Sequence, residues 1–419
     1  MKLDSALFRR EAARLLATLT RAFGVANLAV AEDVVQDTLA SAFEAWSYQG
    51  VPPHYAAVLT TGAKNRALDV FRRERTARKF APEVGRLIES EWAIGPALDA
   101  MFLPDALKDD ELRMMFTCCH PRLAEGVQVA LVLHLLCALG VDEIASAFLV
   151  SPAAMEKRLS RGKKVLAESR HLFELTAADF VPRLSAVHRA LYLLFNEGYH
   201  GASAHAVLRE DRCRDAMRLV RLLVDHPPAA TPATYALAAL MWLLAARLPA
   251  RIDQAGNLKD LFEQDRSLWD EGLLAEGTRL LEQSARGEVL TEYHVEAGIA
   301  GLHAAAGAAR ATRWGEIVAL YDVLMRIRPS PVVALNRCMA IAQHEGPERG
   351  LEAVRAIEDA SRLAAYPFYP AVLGELELRN GRTEIARAHF QEARRLARND
   401  GERRFLDHRI DECARRARS

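Results

Sequence analysis

Apolar residues recur at three- and four-residue spacing along most of this chain, and that period predicts helices almost throughout. The segment AEDVVQDTLASAFEAW (31–46) reads as an amphipathic helix that runs from acidic to apolar, followed by a Gly50-Val51-Pro52-Pro53 break. In TGAKNRALDVFRRERTARKF (61–80), Ala63, Ala67, Val70 and Phe71 repeat at helical spacing, so one face packs and the other is left to polar residues. Ala130 to Leu139 predicts a buried helix, with Gly140 where a C-cap would sit. VDEIASAFLV (141–150) and SPAAMEKRLSRGKKVL (151–166) then read as two helices joined by a very short turn. Ser151 is suited to the N-cap of the second and Pro152 to its first turn. Packing of Ile144, Ala145 and Phe148 against Met155, Leu159 and Val165 would hold the two together.

From residue 171 onward the pattern stays helical, and toward the end it repeats. Helix pairs return about 34 residues apart: 331–344 with 347–360, then 366–379 with 382–398. A weaker copy lies upstream, at Val295–Ala306 and Trp314–Arg326. Gly374, Leu378, Gly381, Ala386, Phe390 and Ala393 place small and large residues as a tetratricopeptide (TPR) repeat does. Such arrays stack into a concave solenoid that binds a peptide or another domain. With few β-branched runs, and Gly and Pro falling mainly between periodic segments, the expected fold class is all-α.

Charge changes this picture locally. The formal net charge is zero, so a general nucleic-acid coat is excluded and any contact with nucleic acid must be local. Residues 61–80 carry Lys64, Arg66, Arg72, Arg73, Arg75, Arg78 and Lys79 against only Asp69 and Glu74. The next stretch, 81–111, is acidic (Glu83, Glu89, Glu91, Asp99, Asp105, Asp109, Asp110 and Glu111) and broken by Pro82, Gly95, Pro96 and Pro104, as a linker with short helical pieces would be. The second helix of the 141–166 pair exposes Lys157, Arg158, Arg161, Lys163 and Lys164, the pattern of a helix-turn-helix whose second helix enters a major groove. In 61–80, Arg and Lys can hold phosphates while Asn65 and Asp69 can read base edges.

The N-terminal MKLDSALFRREAARLL contains acids and has no apolar core, so it does not read as a signal peptide. The longest apolar stretches, Val127–Val141 and Tyr235–Ala246, fall short of a membrane span. Six cysteines without paired spacing suit a reducing cytoplasm.

In this order the motifs resemble the extracytoplasmic-function (ECF) sigma factors of bacterial RNA polymerase, in the group with a long C-terminal TPR-like extension. AEDVVQDTLASAFEAW is similar to sigma region 2.1–2.2 and KNRALDVFRRER to regions 2.3–2.4. DDELRMMFTCCHP (109–121) with the helix-turn-helix resembles region 4, and FNEGYHGASA (195–204), EQDRSLWD (263–270) and SPVVALNR (330–337) resemble the extension. The resemblance implies region 2 at 1–80, a linker at 81–111, region 4 at 112–170, a helical extension at 171–290 and TPR-like repeats at 291–419. It implies that Asp33, Gln36 and Asp37 dock on the polymerase clamp coiled coil, with the polymerase flap also among the core contacts. His54, Tyr55, Lys64, Asn65, Asp69, Arg72 and Arg73 would hold the −10 strand, one base flipping into a pocket near Ser47–Tyr55. Ser151, Ala153, Ala154, Lys157, Arg158, Arg161 and Lys164 would meet the −35 element. One departure concerns melting: the family usually has a Trp-Leu pair where this chain has Val58-Leu59.

Three clusters carry both a chemical and a plainer reading. Cys118-Cys119-His120 with His134 and Cys137 lacks the spacing of a structural zinc site, and buried core cysteines are expected. Asn196-Glu197-Gly198-Tyr199-His200 has an acid and a base but no accompanying nucleophile or phosphate loop, and reads as a helix end closed by Gly198. Asp265, Arg266 and Trp269 form a candidate interdomain contact, with ordinary packing as the alternative. No cofactor or metal is implied and no enzymatic activity is expected. The expected partners are core polymerase, promoter DNA and a protein partner for the repeats, with no membrane. The alternative is a helix-turn-helix/TPR regulator that acts without polymerase core.

Overall fold

The computed structural model describes residues 5–74, 98–148, 150–168, 177–200, 208–253 and 257–417. Arg75, Arg78, Lys79 and the acidic stretch through residue 97 lie outside the described residues, as do 201–204 of the FNEGYHGASA motif. Among the described residues the fold is all-α, with one isolated antiparallel bridge, Ile252 to Leu258, and no strand. The chain divides into two compact units, residues 1–194 with 221–229, and residues 195–220 with 230–419.

In the first unit, α1 (Ser5–Phe23), α2 (Leu28–Gln49) and α3 (Tyr55–Glu74) pack together. The stripe Leu59, Ala63, Ala67 and Phe71 on α3 is buried at a strict four-residue spacing, so a single face of the helix turns inward. Its small residues let α3 lie close to its neighbours, and the Phe71 ring meets Phe23 of α1 at 5.0 Å between centroids. Full burial of a Phe side chain contributes about 1.5–3 kcal/mol.

Helix α4 (Pro104–Cys118) runs along α1 and crosses the division expected at 111. Its carboxylate Asp110 is fully buried. Arg21 Nη1 donates to it at 2.9 Å and the Thr18 hydroxyl at 3.0 Å, which satisfies both oxygens. Then follow α5 (Glu125–Leu135), α6 (Val141–Ala147) and α7 (Pro152–Glu168). Helix α5 ends at Leu135, short of the expected Leu139, and the left-handed residue after it is Ala138 (φ 45°). Gly140 is therefore not the C-cap of α5: its N–H donates to the Glu143 carboxylate at 2.9 Å at the start of α6. A side chain reaching back from the first turn to an unpaired N–H marks a helix beginning, and the glycine belongs to that beginning.

The α6–α7 pair forms as expected. The Ser151 hydroxyl accepts the Ala154 N–H at 3.3 Å, Pro152 opens α7, and Ile144, Ala145, Met155 and Leu159 are buried. Gly162 sits where α7 crosses α5; a Cβ there would lie 2.8 Å from Val127 Cγ1.

Helix α8 (Ala177–His200) continues through Gly198, which does not close it. A Cβ at Gly198 would stand 2.8 Å from both the Arg209 carbonyl oxygen and the Cys213 nitrogen. The glycine lets the following helix, α9 (Glu210–Val224), approach backbone to backbone, and the Arg209 N–H donates to the Gly198 carbonyl at 2.8 Å.

The second unit continues through α10 (Pro232–Ala245) and α11 (Glu271–Ser284). It ends in α12 (Glu292–Ala305), α13 (Trp314–Ile327), α14 (Pro331–His344), α15 (Pro347–Arg355), α16 (Phe368–Arg379), α17 (Thr383–Leu396) and α18 (Asp400–Arg416). Each of these seven helices packs on the next. Gly374 of α16 faces the Phe390 ring of α17, where a Cβ would be 2.9 Å from Cδ1, and Gly381 takes φ 77° in the turn between them. Leu378, Ala386, Phe390 and Ala393 share one buried cluster with Leu406 and Cys413 of α18.

Candidate nucleic-acid and polymerase interface

Helix α2 buries Ala31, Val34, Val35 and Thr38, and the same 3.6-residue period turns Asp33, Gln36 and Asp37 to solvent together. Farther along, Phe43 and Tyr48 are also exposed, so an acidic and aromatic surface runs the length of the helix.

Helix α3 sorts its residues the same way. Opposite its buried stripe, Val58, Asn65, Asp69, Arg72 and Arg73 are exposed, with His54 exposed just before the helix and Tyr55 half-buried at its start. Val58, the position of the family's aromatic residue, is 48% exposed and heads this polar stripe, whereas Leu59 is core. Two of the basic residues are engaged within the unit. Lys64 pairs with Asp99, and Arg66 donates to the Ser41 hydroxyl at 2.6 Å. Asp69 lies 3.6 Å from Arg72, close enough to orient it.

On α7, Ser151, Ala153, Lys157, Arg158, Arg161 and Lys164 are exposed and Ala154 is half-buried. Lys163 departs from the expected exposed set. It is half-buried and donates to Glu32 of α2 at 2.6 Å, with its Nζ 3.2 Å from His134 Nε2. The His134 Nδ1–H donates to the Leu139 carbonyl at 3.2 Å, so Nε2 is the acceptor for Lys163. Burial, then the adjacent Lys163 charge, hold the His134 pKa below its usual value, which keeps the ring neutral. The sequence places Lys163 among basic neighbours one helix turn from Leu159 and Leu166; only the approach of α2 shows that it faces inward.

Cys118 and Cys119 are free and buried, as expected. Burial pushes the Cys119 thiol up to about 12 and raises Cys118 well above its usual value. Asp265, Arg266 and Trp269 are assembled inside the second unit. Asp265 accepts the Ser267 N–H at 3.0 Å, and Arg266 stacks over the Trp269 ring at 4.7 Å. Arg266 Nη1 also donates to the His303 carbonyl at 2.6 Å, tying this turn to α12.

A short helix pair whose second helix is capped by Ser151, packed on α5 and basic on its outer face has the form of a helix-turn-helix of the kind that sigma factors use as region 4. The family model described as sigma-70, region 4, matches residues 113–166, which contain α5, α6 and most of α7, and this match supports a sigma-70 type factor. A region 4 of this kind implies interaction with RNA polymerase and promoter DNA. A second model, described as a family of unknown function (DUF6596), matches residues 183–285. Over 391 residues the chain is 37% identical to an uncharacterized protein of Rhizobium meliloti (strain 1021), a match covering 93% of this chain and 91% of that one. No solved structure matches. Among the described residues, no helix is long and apolar enough to cross a membrane.

Proposed function

We propose that this chain is an ECF-type sigma factor that joins core RNA polymerase, reads a promoter at two elements and is regulated through a C-terminal TPR-like extension. The observation that carries the reading is the separation of faces on three helices. Asp33, Gln36 and Asp37 stand together on α2, Asn65, Asp69, Arg72 and Arg73 on α3, and Lys157, Arg158, Arg161 and Lys164 on α7, each set opposite a buried stripe. In this reading the α2 face docks on the polymerase clamp, the α3 face holds the −10 strand and the α7 face enters the −35 groove. Arg and Lys supply phosphate contacts and Asn65 and Asp69 supply base-edge contacts. Base flipping costs a few kcal/mol of unstacking, which strand contacts offset, so opening needs no chemistry from this chain. The polymerase performs the reaction, in the cytoplasm.

The extension supports regulation because it is covalently tethered, which gives it a high effective concentration at the sigma domains. Reconstitution with core polymerase on a promoter library, followed by run-off transcription, tests the reading: transcripts dependent on this chain are expected. Failure to co-purify with core while still binding duplex DNA would replace it with the regulator that acts alone.

A further inference from the structure

A turn of the chain's own sequence lies across one face of the C-terminal helices. Residues 258–264 (LKDLFEQ) are anchored at one end by the Lys259 N–H donating to the Arg251 carbonyl at 2.9 Å. At the other end Gln264 accepts from Arg247 Nε at 3.3 Å. Between them Asp260 Oδ1 accepts the N–H groups of Phe262 at 2.7 Å and Glu263 at 2.9 Å, which closes a tight turn. That turn presents Phe262, 45% exposed, stacked on Trp314 of α13 at 5.9 Å and 22°.

The turn does not fill the surface on which it rests. Cavities of about 260, 510 and 180 Å³ lie along it, and Asp260, Leu261 and Phe262 form part of their walls. The opposite walls come from several helices of the array: Trp314 of α13, Met339 of α14, Phe368 of α16 and Phe405 of α18. The largest of the three adds Arg310, Arg379 and Arg409; Arg409 is paired with Glu375 and Glu412, so the basic balance of the groove rests on Arg310 and Arg379. A groove that is apolar at its floor, basic in balance and spans several stacked helices has the form of a peptide site.

We propose that this groove docks an acidic peptide with an aromatic anchor, and that the segment 258–264 occupies it in cis as a resident competitor. The aspartate, leucine, phenylalanine and glutamate of the turn display the chemistry of the partner: an aromatic ring for the Trp314 face and carboxylates for the arginines. The inference deepens the proposed role of the helical array and rests on that reading. A tethered competitor lowers the apparent affinity by the fraction of time it leaves the groove open, so a partner must out-compete it.

The test uses the full chain, without polymerase or DNA, and a fluorescein-labelled synthetic peptide LKDLFEQD read by anisotropy. Phe262→Ala, which withdraws the resident ring, is expected to bind the peptide about tenfold more tightly than the unaltered chain, as when the turn holds the groove nine-tenths of the time. Asp260→Ala, which opens the turn by removing its acceptor, is expected to act in the same direction. Arg310→Glu added to Phe262→Ala should return the affinity toward the starting value, and a peptide with alanine for phenylalanine should not bind. Equal affinity for the three chains, or equal binding of a scrambled peptide, overturns the proposal, provided thermal melts show the variants folded. Run-off transcription with the same preparations separates the two readings. Lost peptide binding with intact transcription sinks the groove alone, and lost transcription with peptide binding intact sinks the sigma assignment alone.

Discussion

Replacing Lys157, Arg158, Arg161 and Lys164 together by alanine asks whether the outer face of α7 meets phosphate. All four are exposed, and no ion pair engages them among the described residues. Their removal should therefore cost little folding stability, within about 0.5 kcal/mol per site as for ordinary surface substitutions. Binding is another matter. Each phosphate contact contributes roughly −0.9 to the slope of log K against log salt, so a rise from about 50 to about 200 mM weakens binding about 3.5-fold per contact. Four contacts compound to about 150-fold, and the quadruple variant should lose most of that salt sensitivity. Anisotropy titrations of a labelled promoter duplex across that salt range measure the slope directly. Lys163→Ala provides the internal comparison, since its ammonium is spent on Glu32 and its loss should leave the slope nearly unchanged. An unaltered slope in the quadruple variant, or an equal loss from Lys163→Ala alone, would refute the assignment of this face to DNA.

Three further outcomes are expected. Because the folded-state pKa of His134 is held below its usual 6.5, its neutral form contributes stability that is fully present above that value and lost as pH falls through the lowered one. Denaturant titrations should therefore show the chain weakening as pH falls below about 6.5, with His134→Gln flattening that dependence; an identical pH profile would remove the histidine from the account. Cys118 and Cys119 should resist iodoacetamide at pH near 8 until the chain is unfolded, because their thiols ionise well above that range; rapid modification of either in the native chain contradicts this. Gly374→Ala places a methyl 2.9 Å from the Phe390 ring. Overpacking of this kind costs about 1–3 kcal/mol, so Tm should fall and a second change, Phe390→Leu, should restore part of it; a Tm at or above the starting value means the helices part freely there.

Much of the fold was legible because helices declare themselves over short distances. Apolar spacing located α2, α3, α6 and α7, and Ser151 with Pro152 marked the start of α7 to the residue. The repeated pairs near the C-terminus were visible for the same reason, since Gly374 and Phe390 must meet wherever such helices stack. The glycines were harder to read. Gly140 and Gly198 both follow apolar helical runs, which is where a cap would sit, yet one opens the next helix and the other admits a neighbouring backbone. A glycine signals a missing side chain, and the sequence does not say which neighbour requires the space.

The sequence by itself determined which residues are apolar, which are charged and at what period they recur. Those quantities are local, so they were enough for the helices, the exposed faces of α2 and α3, and the basic outer face of α7. Only the tertiary structure decided how charges are paired. It set Lys163 on Glu32, Lys64 on Asp99 and Asp110 between Thr18 and Arg21, partners 131, 35 and about 90 residues apart. It also laid residues 258–264 against helices far along the chain, turning an ordinary loop into the occupant of a groove. Such pairings depend on which helix faces meet, and that is settled by the packing of the whole unit.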